Sequence, residues 1–341
     1  MNTLSKESLR NASIFLGAFF LALSTLSCQA EEKKTAQWTS EKAPAQSAIS
    51  APETETSNEE KSDAVAPKAE PEGTPIRFLS YNLKNYLTMR RGKVYRGKPE
   101  SEIEALVAII VQQKPDILGV CEIGKPTDLL DLQTRLKAKG IDLPHTEHTG
   151  GSDQTRHLAL LSRFPIIARN SQRDLGYELE GQKRVIRRGI LDTTIDTGAR
   201  KLRLLGVHLK SKRPIPEADQ NLIRQNEAHL VRDYADSILT EDLDSPFLIY
   251  GDFNDTIRSK TLSILKGRSN AKKAMPDFLF QDDRENLWTH FWAKEQIYSR
   301  LDYVLFSKAT RPLLVSKESK IVDSPQWQEA SDHRALLLVL Q

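Results

Sequence analysis

The chain is poor in sulfur: 341 residues include two cysteines and three methionines. Cys28 stands near the N-terminus and Cys121 inside the apolar run Ile117-Leu118-Gly119-Val120-Cys121. Two thiols so far apart have no zinc-site spacing and make no disulfide framework. A lone thiol in an apolar run reads as a small core residue rather than a nucleophile. Long apolar stretches are lacking too. Ile14–Leu26 has 13 residues, short of the roughly 20 needed to span a bilayer. Charge is balanced, with 49 Lys+Arg, 46 Asp+Glu and a net of +3, which excludes a strongly basic nucleic-acid packaging protein. No internal repeat is present, which excludes a solenoid.

What is present divides the chain in three. Residues 1–28 have the layout of an export signal, with Lys6 and Arg10 ahead of Ile14–Leu26 and then Ser27-Cys28. The segment resembles a bacterial lipoprotein signal, in which the cysteine becomes the lipidated first residue of the mature chain. Thr25 departs from that pattern three residues before the cysteine, so ordinary secretion is the alternative. The resemblance implies an exported protein held by a lipid on Cys28 at the outer membrane, cell surface or periplasm.

Residues 29–73 are rich in Ala, Glu, Pro, Ser, Thr and Lys, with five basic and ten acidic side chains and one aromatic, Trp38. Such a segment cannot bury enough apolar surface to fold. We expect a disordered tether reaching about 35–40 Å.

Residues 74–341 carry 42 basic and 35 acidic residues, a mild bias toward a polyanionic partner. Strand patterns occur at Ile76–Asn82, Asp116–Cys121, His157–Ser162, Arg187–Ile195, Leu202–Leu209, Phe247–Gly251, Leu301–Phe306 and Leu336–Leu340. Helical spacing occurs at Glu100–Gln113, Leu129–Leu136 and Pro216–Leu239. In the last, Ile223, Leu230, Tyr234 and Ile238 share a face from which Arg224 and Glu227 are excluded. A looser stretch runs from about 256 to 296. Strands and helices interleave, so one α/β domain over 74–341 is expected.

A polar residue closes nearly every strand: Asn82, Glu122, His208, Asp252 with Asn254, Asp302, and Asp332-His333 before the last strand. Taken singly each has a plain account. Asn82 could cap a turn, Asp302 could pair with Arg300, and Asp252 with Asn254 could simply form a turn. Asp252 and Asn254 are two apart, so an extended chain would send both to one side. Six such strand ends together point to one site at a sheet rim.

Seven signatures then follow in order: Ser-Tyr-Asn at 80–82, Cys-Glu at 121–122, Leu-Ala-Leu-Leu-Ser-Arg at 158–163, Gly-Val-His-Leu-Lys-Ser-Lys at 206–212, Gly-Asp-Phe-Asn at 251–254, Arg-Leu-Asp-Tyr-Val-Leu at 300–305 and Ser-Asp-His-Arg at 331–334. The set resembles the endonuclease/exonuclease/phosphatase superfamily, metal-dependent phosphoesterases related to pancreatic-type deoxyribonuclease. The resemblance implies a four-layer α/β sandwich of two packed mixed sheets flanked by helices. It implies Glu122 as principal ligand of Mg²⁺ or Mn²⁺ (Ca²⁺ as an accessory ion), with Asn82 and Asp332 supporting. Asp302 would orient His333, Asp252 with Asn254 would position the attacking water, and His208 would lie near the leaving group. Arg188, Lys210 and Lys212 would bind substrate phosphate, with Arg187-Arg188 on a strand. Trp288, His290, Phe291 and Trp292 read as loop packing rather than a base-stacking platform.

The expected activity is therefore hydrolysis of phosphodiesters in DNA or RNA by an exported monomer. Lys84 stands where repair members of the superfamily carry an acidic residue, which points away from abasic-site repair. The alternatives are a phosphatase of inositol phosphates or other small phosphates, a sphingomyelinase-like phosphodiesterase, and a binding protein without catalysis.

Overall fold

A computed structural model describes residues 74–341. The signal, Cys28 and the tether lie outside the described residues. Two multi-stranded sheets organise the domain. The first has six strands, in spatial order Lys320–Ile321, Leu336–Leu340, Ile76–Tyr86, Ile117–Ile123, His157–Ser162 and His145–Thr149. The second has five: Asp302–Phe306, Phe247–Asp252, Lys201–His208, Leu191–Asp196 and Ile166–Arg169. Both are mixed, each with one parallel pair at its centre.

The parallel pairs require crossovers, and helices supply them. Helix α1 (Glu100–Gln113) links Ile76–Tyr86 to Ile117–Ile123. Its first turn carries Glu100 and Glu102, favourable at the positive end of the helix dipole. Its buried stripe is Ile103, Leu106, Val107 and Ile110. The helix stops at Lys114, whose φ of 47° is left-handed, just before Pro115. Helix α2 (Pro126–Ala138) lays Leu129, Leu132 and Leu136 into the same core.

Helix α3 (Gln220–Glu241) makes the second crossover. It begins four residues later than the helical pattern suggests. The Asp219 side chain accepts from the amides of Asn221 and Leu222 and caps the helix there. Arg224 and Glu227 are completely buried on it, contrary to the amphipathic reading. The loose stretch after residue 256 contains a short helix, α4 (Lys260–Lys266).

Three apolar clusters separate four layers. One lies between the first sheet and helices α1 and α2, one between the sheets, and one between the second sheet and α3. Tyr250 bridges the middle cluster, edge-on to Phe78 with ring centres 4.8 Å apart. A Cβ on Gly119 would lie 2.2 Å from its ring, and one on Gly206 2.7 Å from its hydroxyl. Glycine at both positions lets the sheets close on that ring. Cys121 is fully buried in the same cluster, and burial pushes its thiol well above the usual range.

Candidate active site

Strand register builds the site. In the second sheet His208 lies opposite Asp252, and Asp252 opposite Asp302, so three functional side chains form one row across adjacent strands. In the first sheet Asn82 lies opposite Cys121, with Glu122 next along the strand. Both parallel pairs end at the same rim. The Asn82 amide nitrogen donates to Asp252 Oδ2 at 3.0 Å, which joins the two sheets at the site.

Backbone conformation aims these groups. Glu122 has φ 62°, and the ladder slips between Cys121 and Ile123. Lys84, Asn85 and Asn254 are also left-handed, a costly state for residues with side chains. Gly251 has φ 127°, and a Cβ there would meet the Val207 carbonyl at 2.1 Å. Glycine there lets the strand continue against Val207 through Asp252, and the left-handed Asn254 follows two residues later. The Asn254 amide nitrogen donates to the Leu209 carbonyl and to Asp252 Oδ2, both at 3.0 Å.

His333 Nδ1 lies 2.8 Å from Asp302 Oδ2, and its other ring nitrogen lies 3.8 Å from Asp252 Oδ2. Burial opposes a charge on His333. Asp302 and then Asp252 outweigh it and raise the imidazole to about 10. Burial raises the Asp252 carboxyl. His208 Nε2 lies 3.5 Å from Asp252 Oδ2 and 3.9 Å from Glu122 Oε1. Burial, then Arg188 and His333, hold His208 well below its usual range, so it is a neutral hydrogen-bond donor rather than an imidazolium acid. Asp302 does not pair with Arg300, which binds Asp277 instead.

The rim opens into a cleft of about 540 Å³. Its lining combines Glu122, Asp252, Asn254, His208, Asp332 and His333 with the basic residues Arg156, Arg187, Arg188, Lys210 and Arg213. Glu122 Oε2 accepts from the Asn85 amide at 2.9 Å. Arg156 Nε lies 3.8 Å from the same oxygen, while Oε1 lies 3.9 Å from His208 Nε2 in the cleft that Asp252 and Asp332 also line. That hard-oxygen set suits Mg²⁺ or Mn²⁺, which need few protein ligands. Asn82 Oδ1 is engaged by the Lys84 amide at 3.1 Å, so Asn82 supports the set through its amide nitrogen. Ligand atoms of Asp252, Asp302 and His333 also fall within 4.8 Å of one another. Asp302 and His333 occupy each other there, which leaves the Glu122 side of the cleft as the candidate position for a cation.

The basic residues divide. Arg188 is buried at the cleft, 3.4 Å from Asp153, with Nε and Nη1 lacking hydrogen-bond partners. Such orphaned donors fit an anionic ligand. Arg187 and Arg188 are not on a strand. They precede Leu191–Asp196 in a turn that ends at Gly189, φ 73°. Lys210 lines the cleft, but its ammonium donates to the Ser211 and Arg213 carbonyls. Burial, then Arg188 and Arg187, lower it to about 8. Lys212 lies outside the cleft and pairs with Asp255 at 3.4 Å.

The sequence pattern of the endonuclease/exonuclease/phosphatase family matches residues 79–333. The chain belongs to this family. Solved structures of the same fold include truncated TDP2 of Caenorhabditis elegans, at 16% identity and TM-score 0.54 over 79% of this chain and 98% of that one. The human Nocturnin catalytic domain, with bound sulfate, aligns at 17% identity and TM-score 0.54 over 78% and 94%. Beta toxin of Staphylococcus aureus aligns at 15% identity and TM-score 0.54 over 77% and 99%. No curated protein sequence matches the chain. As a family member the chain is a phosphoesterase hydrolase with the mixed α/β fold described above.

Some site residues of this family member escaped the sequence reading. Arg156 and Asp153 sit on a loop held to the Ile186–Arg187 backbone, and nothing local marks them. In sequence His290 reads as one of the aromatic cluster. Of its neighbours, Trp288 packs against Tyr298 and Trp327 and Phe291 against Tyr298 as expected, while Trp292 is exposed. His290 itself bridges to His333 and lines the cleft. Burial and the charge of His333 hold it below its usual range.

Proposed function

We propose that the chain is an exported divalent-metal-dependent phosphodiesterase that hydrolyses nucleic acid, DNA first and RNA second. The observation that carries the reading is the Asp302–His333 contact facing Asp252, set in one cleft with Arg188, which pairs with Asp153 and keeps an Nη1 without a hydrogen-bond partner. Mg²⁺ or Mn²⁺ would be held by Glu122 with Asp332, and when bound it would withdraw charge from the phosphate.

The chain's own groups supply the rest. Asp302 fixes the His333 ring so that its cationic Nε2 faces the cleft and a phosphate oxygen. Asp252, restrained by Asn82 and Asn254, orients the attacking water and accepts its proton. Neutral His208 donates a hydrogen bond from Nε2 toward the leaving oxygen. Arg188 donates to a nonbridging oxygen, and Arg156, Arg187 and Arg213 extend the anionic surface it can hold. Purified protein with Mg²⁺ should nick plasmid DNA. Turnover confined to sphingomyelin or inositol phosphates would replace the nuclease reading with one of those activities.

For the address, we propose a monomer anchored by a lipid on Cys28, on the strength of Lys6, Arg10 and Ile14–Leu26 ahead of it. The protein should partition into detergent and incorporate a palmitate analogue, and Cys28→Ser should abolish both. A soluble wild-type product cleaved elsewhere would mean secretion instead.

A further inference from the structure

Residues 74–99 contain seven Lys and Arg and no Asp or Glu. Two of the seven have an acidic partner: the Arg77 guanidinium lies 4.0 Å from Glu318, and the Lys98 ammonium 3.0 Å from Glu102. Lys84, Arg90, Arg91, Lys93 and Arg96 have no ion pair among the described residues. Four of them sit on one hairpin, whose strands Met89–Arg91 and Val94–Arg96 pair in register about Gly92, φ 67°. Lys93, Val94, Tyr95 and Arg96 are exposed, Tyr95 by 78%.

This hairpin is fastened to the site. Arg91 donates to the Gly97 and Asn85 carbonyls at 3.0 and 2.9 Å, and the Asn85 amide holds Glu122 Oε2. The buried Lys98 ammonium donates to the Lys84 carbonyl and closes the base of the loop. An unpaired basic surface therefore begins beside Glu122, on a separate two-stranded hairpin that follows the first sheet's strand Ile76–Tyr86. The cleft cations Arg187, Arg188, Lys210 and Arg213 come from loops of the second-sheet half. A ligand that engages both must carry several phosphates.

We infer that the Met89–Arg96 hairpin is a nucleic-acid grip, in which Arg90, Lys93 and Arg96 neutralise backbone phosphates beyond the scissile one and Tyr95 packs on a sugar or base. The inference rests on the nuclease reading and names the part of the chain that holds the remainder of the strand. A lipid surface fits less well. The exposed apolar groups amount to Val94 and Tyr95 between cations, without the broad apolar face that membrane insertion needs. An aromatic among cations is the pattern that binds strands without sequence preference.

The test uses Arg90→Gln, Lys93→Gln and Arg96→Gln together, in protein carrying Glu122→Gln for binding and in active protein for turnover. We would measure Kd for a 30-base-pair duplex, a 30-nucleotide single strand and phosphatidylglycerol vesicles across salt. The triple variant should bind both nucleic acids on the order of 10-fold more weakly, with a salt slope flatter by roughly 2–3. Its rate on the duplex relative to a dinucleotide should fall similarly. A parent that binds DNA and a variant with the same Kd and slope would overturn the grip while sparing the nuclease reading. Loss confined to vesicles would also overturn it. A parent that binds no nucleic acid would overturn both.

Discussion

One oxygen of Asp302, Oδ2, accepts from His333 Nδ1 at 2.8 Å and from the Thr289 hydroxyl at 2.6 Å. The same hydroxyl receives the amides of Leu301 and Asp302, so its only hydrogen is directed to the carboxylate. Backbone, threonine, aspartate and histidine are thus in series. Asp302→Asn should lower kcat about 10²–10⁴-fold, close to His333→Ala, because a misdirected imidazole serves little better than none. The double variant should cost no more than either alone. Thr289→Val should lower kcat less and Thr289→Ser should recover it. Fully additive kinetic losses would separate the two residues.

Glu122 presents a carboxylate oxygen to the cleft with no strong partner within the protein. Glu122→Gln should therefore retain its melting temperature and lose about 10²-fold or more of kcat, the several kcal/mol a bound cation contributes. Isothermal titration with Mg²⁺ should show a matching loss of affinity. Undiminished turnover in excess EDTA would remove the cation from the site.

Glu227, buried on α3, accepts the Arg187 amide at 3.1 Å and the Lys210 amide at 2.7 Å. Arg224 on the same helix donates to the Lys210 carbonyl at 2.9 Å. One helix thereby ties together the two loops that form the basic part of the cleft. Glu227→Gln turns a donor toward one of those amides and should cost about 1–3 kcal/mol of stability. It should also raise KM more than it lowers kcat, if these loops hold substrate phosphate as proposed above. An unchanged KM with the stability loss alone would make Glu227 purely structural.

Asp282 and Arg334 form a buried pair at 2.7 Å, which anchors the segment that carries Asp332 and His333. Burial alone would raise the Asp282 carboxyl. Asn286, Arg334 and the backbone amides of Asn286 and Arg284 outweigh it and hold it well below the usual range. A depressed carboxyl stabilises the fold above its unfolded value, near pH 4, and that contribution is lost as pH falls toward the folded value. Thermal stability should thus drop below about pH 4. Asp282→Asn should lower it by about 3–5 kcal/mol at pH 7, where Arg334 is left buried without its counter-charge. The variant should also show a flatter acid limb.

Sequence periodicity determined the elements whose signal is local. Glu100–Gln113 carries its own apolar stripe and stop, His157–Ser162 is an apolar run bounded by His157 and Ser162, and Leu336–Leu340 is unbroken, so each could be read with its true limits. The strand-end residues and the ordered signatures around them also sufficed to name the family, because they run the length of the domain. Contacts decided the rest. Arg224 and Glu227 look like solvent-facing positions on an amphipathic helix, and only the packed loops supply partners that make their burial tolerable. Lys210 and Lys212 look equivalent in sequence, yet one faces the cleft and the other Asp255. The left-handed turn at Glu122 leaves no mark in a strand-like run. These are choices between conformations of similar local energy, and distant groups tip them.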